Sequence, residues 1–353
     1  MRVRVQVSIV TFNSAEWLED CLNSLKAQTC KDYQVCLWDN ASTDGSAAIA
    51  ESFDRIPVSV HRSPKNEGYC VGHNRNIASI DSDYVLTLNP DVYLEPHFLK
   101  VLVAALDRDG KAGSATGKIW RWPQAIPRES VPMMLNPSGF GTDNRSPNIL
   151  DSAGIYWVRN QRHLDRGSGL ADIGQYDRRE YVFGPSGAAA FYRRAMLDEI
   201  RSGREYFDEA FFAYREDADL AWRAQWLGWT CLYVPEAKAL HVRKVLPERR
   251  ASLDPDINMH SFKNRFLLRI KNMDAGTYLR FFLPISARDL GAIIYVLLRE
   301  PASLRAVPLL MKSFSKAWSS RRDLQKRRRV SGREMRAWFS SKELSKGESL
   351  RTH

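Results

Sequence analysis

The chain has 353 residues, 44% of them hydrophobic and 26% charged, enough for a full α/β domain with additions and a large buried core. Its formal net charge of +11 favours acidic partners such as nucleic acid, anionic lipid or a phosphorylated substrate, but much of that charge lies near the C-terminus. No uninterrupted apolar run of about 18 residues occurs, which excludes a membrane-spanning helix, and the start, Met1-Arg2-Val3-Arg4-Val5, enters an alternating pattern with no secretory apolar region.

Val3, Val5, Val7 and Ile9 alternate with mostly polar residues, so a first strand runs to Phe12-Asn13. Asn13 and Glu16 form a capping-box-like start for a helix carrying Trp17, Leu18, Cys21, Leu22 and Leu25 at helical spacing. A second strand, Tyr33 to Trp38, enters the loop Asp39-Asn40-Ala41-Ser42-Thr43-Asp44-Gly45-Ser46, and a helix follows over Ala47 to Phe53. Val58 to His61 reads as a third strand, and after the loop Asn66 to Asn76 a helical stretch reaches about Ile80. The fourth strand, Tyr84 to Leu88, stops at Asn89-Pro90-Asp91, residues that alone would read as a turn. This βα repeat requires a parallel sheet with right-handed crossovers, so Thr11, Asp39, the Asn66 loop and Asp91 all open on one sheet edge, where ligands bind in open α/β folds. The glycines fit neither a dinucleotide-binding turn nor a P-loop, which sets nicotinamide and P-loop chemistry aside.

From Trp120 to Glu180 the pattern breaks into Pro-, Gly- and Asn-rich pieces such as Asn136 to Gly141, loops of the kind that set substrate choice. Tyr181 to Tyr192 is strand-like, with a small-residue turn inside it. Glu216, Asp217 and Asp219 gather at the start of a helix whose periodicity runs from Leu220 to Leu227, where carboxylates either cap the helix or serve a site. Trp222, Trp226 and Trp229 share a packing face. Thr230 to Val234 reads as a strand that leads towards His241. The five cysteines are scattered, which is the pattern of reduced thiols in a cytosolic protein.

After Asn258 the chain turns basic and helical. His260 to Lys271 is one helix; Tyr278 to Leu298 is apolar but interrupted by Pro284, Arg288 and Asp289. Such a helix lies in a membrane interface, packs on the catalytic domain or makes a homo-oligomer contact. The run Lys326-Arg327-Arg328-Arg329 reads as a solvated end that attracts anionic head groups. The divisions expected are 1–245 for a catalytic domain, 246–310 for a helical extension and 311–353 for a basic, partly disordered tail.

Val7 to Asn13, Trp38 to Ser46, Asn66-Glu67-Gly68, Leu88 to Asp91 and Tyr214-Arg215-Glu216-Asp217 together resemble the family 2 glycosyltransferases, and most of all their rhamnosyltransferase-like members. The resemblance spans about residues 5 to 245. It implies an α/β GT-A fold, a Rossmann-like mixed sheet flanked by helices, with a helical C-terminal extension. It also implies a nucleotide-diphosphate sugar donor held by Thr11, Phe12, Asn13, Asp39, Asp44, Asn66, Gly68, Asn74 and Asn89. Asn89-Pro90-Asp91 stands where the family has its Asp-x-Asp metal motif, so Asp91 becomes the metal ligand, with His241 as a second, for Mg²⁺ or Mn²⁺. Asp217 matches the general base, and direct attack inverts the anomeric centre.

The expected partners are a donor such as dTDP-rhamnose and a glycan or polyprenyl-linked acceptor at the inner face of the cell membrane, with peripheral contact through residues 278–329. No nucleic acid is expected. Two competing readings are a sugar-phosphate nucleotidyltransferase, whose Gly-rich, Lys-containing motif is missing after the first strand, and a non-enzymatic membrane- or nucleic-acid-binding protein driven by the basic tail.

Overall fold

The computed structural model describes residues 2–122, 148–243 and 254–340. In chain order these form β1 (Val3–Thr11), α1 (Ala15–Lys26), β2 (Tyr33–Asp39), α2 (Ser46–Ser52), β3 (Val58–Arg62), α3 (Tyr69–Ser79), β4 (Ser82–Leu88), β5 (Val92–Leu94), α4 (Phe98–Arg108) and β6 (Ala112–Arg121). Then come β7 (Leu150–Ser152), β8 (Ile155–Val158), β9 (His163–Asp165), β10 (Glu180–Val182), β11 (Ala189–Arg193), α5 (Arg194–Ile200), α6 (Glu216–Trp226) and β12 (Thr230–His241). The C-terminal part contributes α7 (Pro255–Asn272), α8 (Ala275–Arg280), α9 (Phe282–Arg299), α10 (Ala306–Arg327), α11 (Gly332–Ala337) and β13 (Phe339–Ser340). The irregular stretch around Asn136 to Gly141 lies outside the described residues.

The main sheet has the path β10-β12-β6-β11-β4-β1-β2-β3, with β5 added to β12 and β7 to β6. Strands β3, β2, β1 and β4 are parallel, as the βα repeat requires. The sheet then becomes mixed, because β11 runs antiparallel to both β4 and β6 while β12 is parallel to β6. The strand-like run from Tyr181 to Tyr192, with its small-residue turn, forms two strands: β10 sits at the outer edge on β12 and β11 in the middle, with Gly184 to Ser186 between them. This is the α/β architecture expected of a GT-A fold, with a smaller sheet β13-β8-β9 beside it.

Strand alternation decides which face of β1 meets which layer. Val5, Val7 and Ile9 enter the apolar cluster under α1 and α4 with Leu18, Leu22, Leu99 and Leu102. The opposite face carries Gln6 and Ser8, buried and hydrogen-bonded to α3: Ser8 Oγ lies 2.7 Å from His73 Nδ1, and Asn76 Nδ2 donates to Ser8 Oγ at 3.0 Å. Polar residues are therefore tolerated in this layer because α3 supplies partners. Farther along, Trp222 and Trp226 are fully buried in a second cluster with Trp157, Leu267 and Leu268, which ties α6 to α7. All five cysteines are free.

Residues 311–340 differ from the solvated end read in the sequence. They are helical over most of their length, and Ala317, Leu324 and Met335 insert into the second cluster. Ala317 and Leu324 stand seven residues apart on α10 and Met335 on the separate α11, so no continuous apolar stripe marks this face in the sequence.

Candidate active site

The carboxyl ends of β1 and β2 are bound to each other. Thr11 Oγ1 donates to Asp39 Oδ1 at 2.8 Å, and the Ser42 N–H donates to Asp39 Oδ2 at 3.0 Å. Both residues are buried, whereas Phe12 next to them is 52% exposed. Asn13 sits at φ 51° and its Oδ1 accepts from the Thr43 N–H at 2.9 Å. Asp44 accepts from the Ala15 N–H at 2.8 Å and the Ser46 N–H at 3.0 Å. These two side chains staple the first two loops together. Asp44 also caps α1 from across the gap, so the expected Asn13/Glu16 capping box is not what closes that helix, and Ser14 at the cap position makes no side-chain cap bond.

The next loop is shaped by Asn66, whose Oδ1 accepts from the Gly68 N–H at 2.9 Å. Gly68 has φ +89°, and a Cβ there would stand 2.5 Å from Phe212 Cδ2, so only glycine fits. Asn40, which sequence reading passed over, fastens this loop to β2: its Nδ2 donates to the Gly68 carbonyl at 3.2 Å and its Oδ1 accepts from the Glu67 N–H at 3.2 Å. Asn74 does not join these groups. Buried on α3, it donates to the Phe207 carbonyl and Glu209 and accepts from the Tyr206 and Phe207 N–H groups, so its amide is saturated by the segment leading to α6. The resemblance implies a donor contact for Asn74, but α3 turns its amide towards residues 206–209.

Asp91 and His241 are far apart in the chain and meet through the sheet. Strand β5 pairs antiparallel with β12, which sets His241 opposite Val92, and the Val242 N–H donates to the Asp91 carbonyl at 3.1 Å. His241 Nε2 lies 3.4 Å from Asp91 Oδ1, and its Nδ1 lies 2.8 Å from Asp151 Oδ2. Buried Asp151 also accepts from Arg243 Nη1 at 2.8 Å, and Arg243 Nη2 reaches Asp165 at 2.9 Å. Burial alone would lower the His241 pKa, but its bonds to Asp151 and Asp91 outweigh burial and bring it to about 10. Asn89 contributes backbone here, its N–H donating to the Ala188 carbonyl at 2.9 Å and its carbonyl accepting from Val92.

A divalent cation fits this donor set. One carboxylate faces one imidazole nitrogen, and the other ring nitrogen is held by a buried carboxylate, the arrangement by which proteins orient metal-ligating histidines. Among the described residues no group of three His, Cys, Asp or Glu surrounds a single point, so the remaining ligands of such an ion would be diphosphate oxygens and water.

Asp217 occupies the first turn of α6. Its Oδ2 accepts from the Gly187 N–H at 3.1 Å and its Oδ1 from the Ala218 N–H at 2.7 Å. Burial, then the charge of Asp165, push its carboxyl up to about 6; burial, then Asp217, push Glu216 higher still. Of the two neighbouring carboxyls, Glu216 is therefore the one held more strongly in its protonated form. Asp219 is different: it is fully buried and bonded to Arg223, Lys271 and Asn272, which makes it a structural anchor.

The approach to Asp217 is strained. Phe212, Tyr214 and Arg215 have φ of 68°, 70° and 72°, a region that costs non-glycine residues about 1–3 kcal/mol each. What holds them is Asn264 of α7, fully buried, whose Nδ2 lies 2.8–2.9 Å from the carbonyls of Phe211, Ala213 and Tyr214. Nothing in the sequence marks Asn264, Asp151 or Asp165, since each acquires its role from a contact across the fold.

The family model described as "Glycosyl transferase family 2" matches residues 6–201, more than half of the chain. The chain belongs to glycosyl transferase family 2. This family 2 enzyme is 29% identical over 258 residues to the N-acetylglucosaminyl-diphospho-decaprenol L-rhamnosyltransferase of Mycobacterium tuberculosis H37Rv, covering 67% of this chain and 75% of that protein. It is 32% identical over 102 residues to a cholesterol galactosyltransferase of Borreliella burgdorferi, 29% of this chain and 28% of that one. Among solved structures, GalNAc-T7 with UDP, GalNAc and Mn²⁺ superposes with a TM-score of 0.59 at 14% identity, over 92% of this chain and 55% of that one. S. aureus TarS 1-349 with UDP-GlcNAc gives 0.51 at 15% identity, over 98% and 95%. These likenesses bear out the GT-A fold. Family membership makes the family 2 enzyme a transferase of glycosyl groups, and the nucleotidyltransferase alternative is not favoured.

Proposed function

We propose that this chain is a metal-dependent, inverting glycosyltransferase of bacterial cell-surface glycan synthesis. It moves a sugar from a nucleoside diphosphate to a hydroxyl of a polyprenyl-linked acceptor, with dTDP-rhamnose as donor by analogy with the mycobacterial relative. The observation that carries this reading is the polar relay Asp91–His241–Asp151–Arg243–Asp165, whose last carboxylate acts electrostatically on Asp217. The relay supports a reading in which Asp91 and His241 hold the metal while Asp217, its carboxyl raised by burial and by Asp165, takes the proton.

In this reading Phe12 and Thr11 line the nucleoside pocket, and Asp39 accepts from the base with the lone pairs that Thr11 and Ser42 leave open. Asn13, Asp44, Asn66 and Gly68 act by fixing the loops around the donor, and Asn89 holds the turn that aims Asp91. Asp91 and His241 would hold Mg²⁺ or Mn²⁺, which supplies positive charge for the leaving diphosphate. The acceptor oxygen forms a bond to the anomeric carbon as the bond from that carbon to the diphosphate oxygen breaks with its electron pair. The acceptor proton passes to Asp217. Attack from the side opposite the leaving group inverts the configuration.

Membrane proximity is supported by the surface of α9 and α10. Leu283, Leu290, Ile294 and Leu297 are exposed on α9, and Met311, Phe314 and Trp318 on α10. Arg159, Arg280, Arg333 and Arg336 line a cavity of about 500 Å³ at the start of α9. Exposed apolar side chains bordered by cations match an anionic bilayer surface, and among the described residues no helix is long and apolar enough to cross one.

Supplying the chain with Mn²⁺ or Mg²⁺, a panel of nucleoside diphosphate sugars and a prenyl-diphosphate-linked N-acetylglucosamine tests the reading. The expected product carries one added sugar of inverted configuration. Transfer undiminished in excess chelator would remove the metal from the mechanism, and pyrophosphate release from a nucleoside triphosphate and a sugar phosphate would restore the nucleotidyltransferase.

A further inference from the structure

The chain from Leu279 to Pro284 alternates between two surroundings. Leu279 and Leu283 are 74% and 78% exposed, and Phe282 between them is 46% exposed, whereas Arg280, Phe281 and Pro284 line the cavity of about 500 Å³ where α8 passes into α9. The remaining walls come from distant parts of the chain. Arg159 follows β8, Arg333 and Arg336 belong to α11, and Phe339 to β13. The C-terminal pieces are anchored there: a Ser331–Glu334 capping box starts α11, β13 pairs parallel with β8, and buried Phe339 packs its ring on Trp157, Trp222 and Phe281.

Arg336 is held in place by its surroundings. Its Nη1 lies 3.8 Å from Asp274 Oδ1, and a Cβ at Gly276 or Gly332 would stand 3.2 or 3.3 Å from that nitrogen, so the two glycines leave the room that the guanidinium fills. Asp274 is committed elsewhere as well, capping α8 through the Thr277 N–H at 2.9 Å. The side chains of Arg159, Arg280 and Arg333 make no hydrogen bond or ion pair with any described residue, and among the described residues no acidic side chain lines the cavity. Four guanidinium groups brought together with one nearby carboxylate raise the local positive potential, and an anion with several acceptor oxygens relieves it.

We propose that this cavity binds the phosphomonoester headgroup of an anionic membrane lipid, with the lipid's acyl chains leaving over Leu279 and Leu283 into the bilayer. This rests on the membrane location proposed above and converts a diffuse attraction into a site for one headgroup. A phosphomonoester presents three acceptor oxygens and nearly two negative charges at neutral pH, which suits several guanidinium forks better than the single charge of a phosphodiester. The apolar side chains at the rim are adjacent in sequence to Arg280, so a ligand seated in the cavity meets them directly, and that contiguity favours an amphiphile over a free phosphate.

The test is flotation of the full chain with phosphatidylcholine vesicles that carry either phosphatidic acid or phosphatidylserine, matched in surface charge. Binding to the phosphatidic acid vesicles is expected to be at least about tenfold tighter. Arg280→Gln combined with Arg333→Gln should abolish that preference, whereas Arg322→Gln combined with Lys326→Gln, which removes the same charge from exposed positions on α10, should keep it. An unchanged Tm reports that both variants fold. Equal binding to the two vesicles, or an equal loss of preference in the two variants, overturns the site while leaving membrane attachment standing. In calorimetry, glycerol 3-phosphate binding as tightly as dioctanoyl phosphatidic acid overturns the lipid assignment. Failure of the membrane location itself reads differently, as a wild-type chain that floats with neither vesicle.

Discussion

Asp217→Asn keeps the shape of the side chain and removes its capacity to take a proton. In the native chain burial and Asp165 bring the Asp217 carboxyl to about 6, so it is roughly nine-tenths ionised at pH 7 and roughly one-tenth at pH 5. The acid limb of kcat/KM should therefore fall about tenfold between those values, and the variant should lose about 10²–10⁴-fold in kcat, the usual worth of a positioned base. Asp165→Asn provides the sign check. Its negative charge raises the Asp217 pKa, so neutralising it favours the ionised carboxylate and moves the acid limb to lower pH. Initial rates of labelled-sugar transfer from about pH 5 to about pH 8, at saturating donor, measure both effects. The reasoning is refuted by an Asp217→Asn enzyme that keeps more than about one-tenth of wild-type kcat, or by an acid limb that moves upward in Asp165→Asn.

Asp151→Asn takes away the anionic partner that fixes His241, and the Mn²⁺ concentration for half-maximal transfer should rise about 10–100-fold; an unchanged metal titration would show that Asp151 serves only the sheet. Asn264→Ala leaves the carbonyls of Phe211, Ala213 and Tyr214 without their donor, which should cost about 2–3 kcal/mol in urea unfolding and lower kcat with little change in donor KM. A variant of full stability and activity would mean that the strained loop holds itself. Leu283→Glu combined with Leu290→Glu changes side chains that are 78% and 59% exposed, so Tm should hold while binding to anionic vesicles weakens by about tenfold or more. A fall in Tm with vesicle binding intact would instead mark that face as a protein contact.

The local parts of this protein are written locally. Val5, Val7 and Ile9 alternate, Trp222 and Trp226 recur at helical spacing, and the strand-end residues Thr11, Asp39, Asn66 and Asp91 follow strands at regular intervals, so the parallel half of the sheet and its open edge could be read from the sequence. Period and turn chemistry involve only near neighbours, which is why they survive in one dimension. The mixed half could not be read that way: β11 enters between β4 and β6 antiparallel, and nothing within Ala189–Arg193 states which strands will flank it.

The same division holds at the site. Asp91, Asp217 and His241 carry chemistry in their side chains and stand out by type and motif. The resemblance implies donor contacts for Asp44 and Asn74; in the fold Asp44 caps α1 and Asn74 clasps the segment before α6. Asp151, Asp165 and Asn264 draw their roles from partners brought close by the sheet and by α7. The sequence by itself determined which residues can take a proton, a metal ion or an apolar layer. Only the tertiary structure decided which of them meet, because a hydrogen bond or an ion pair acts over a few ångströms and the chain brings its distant segments within that range only by folding.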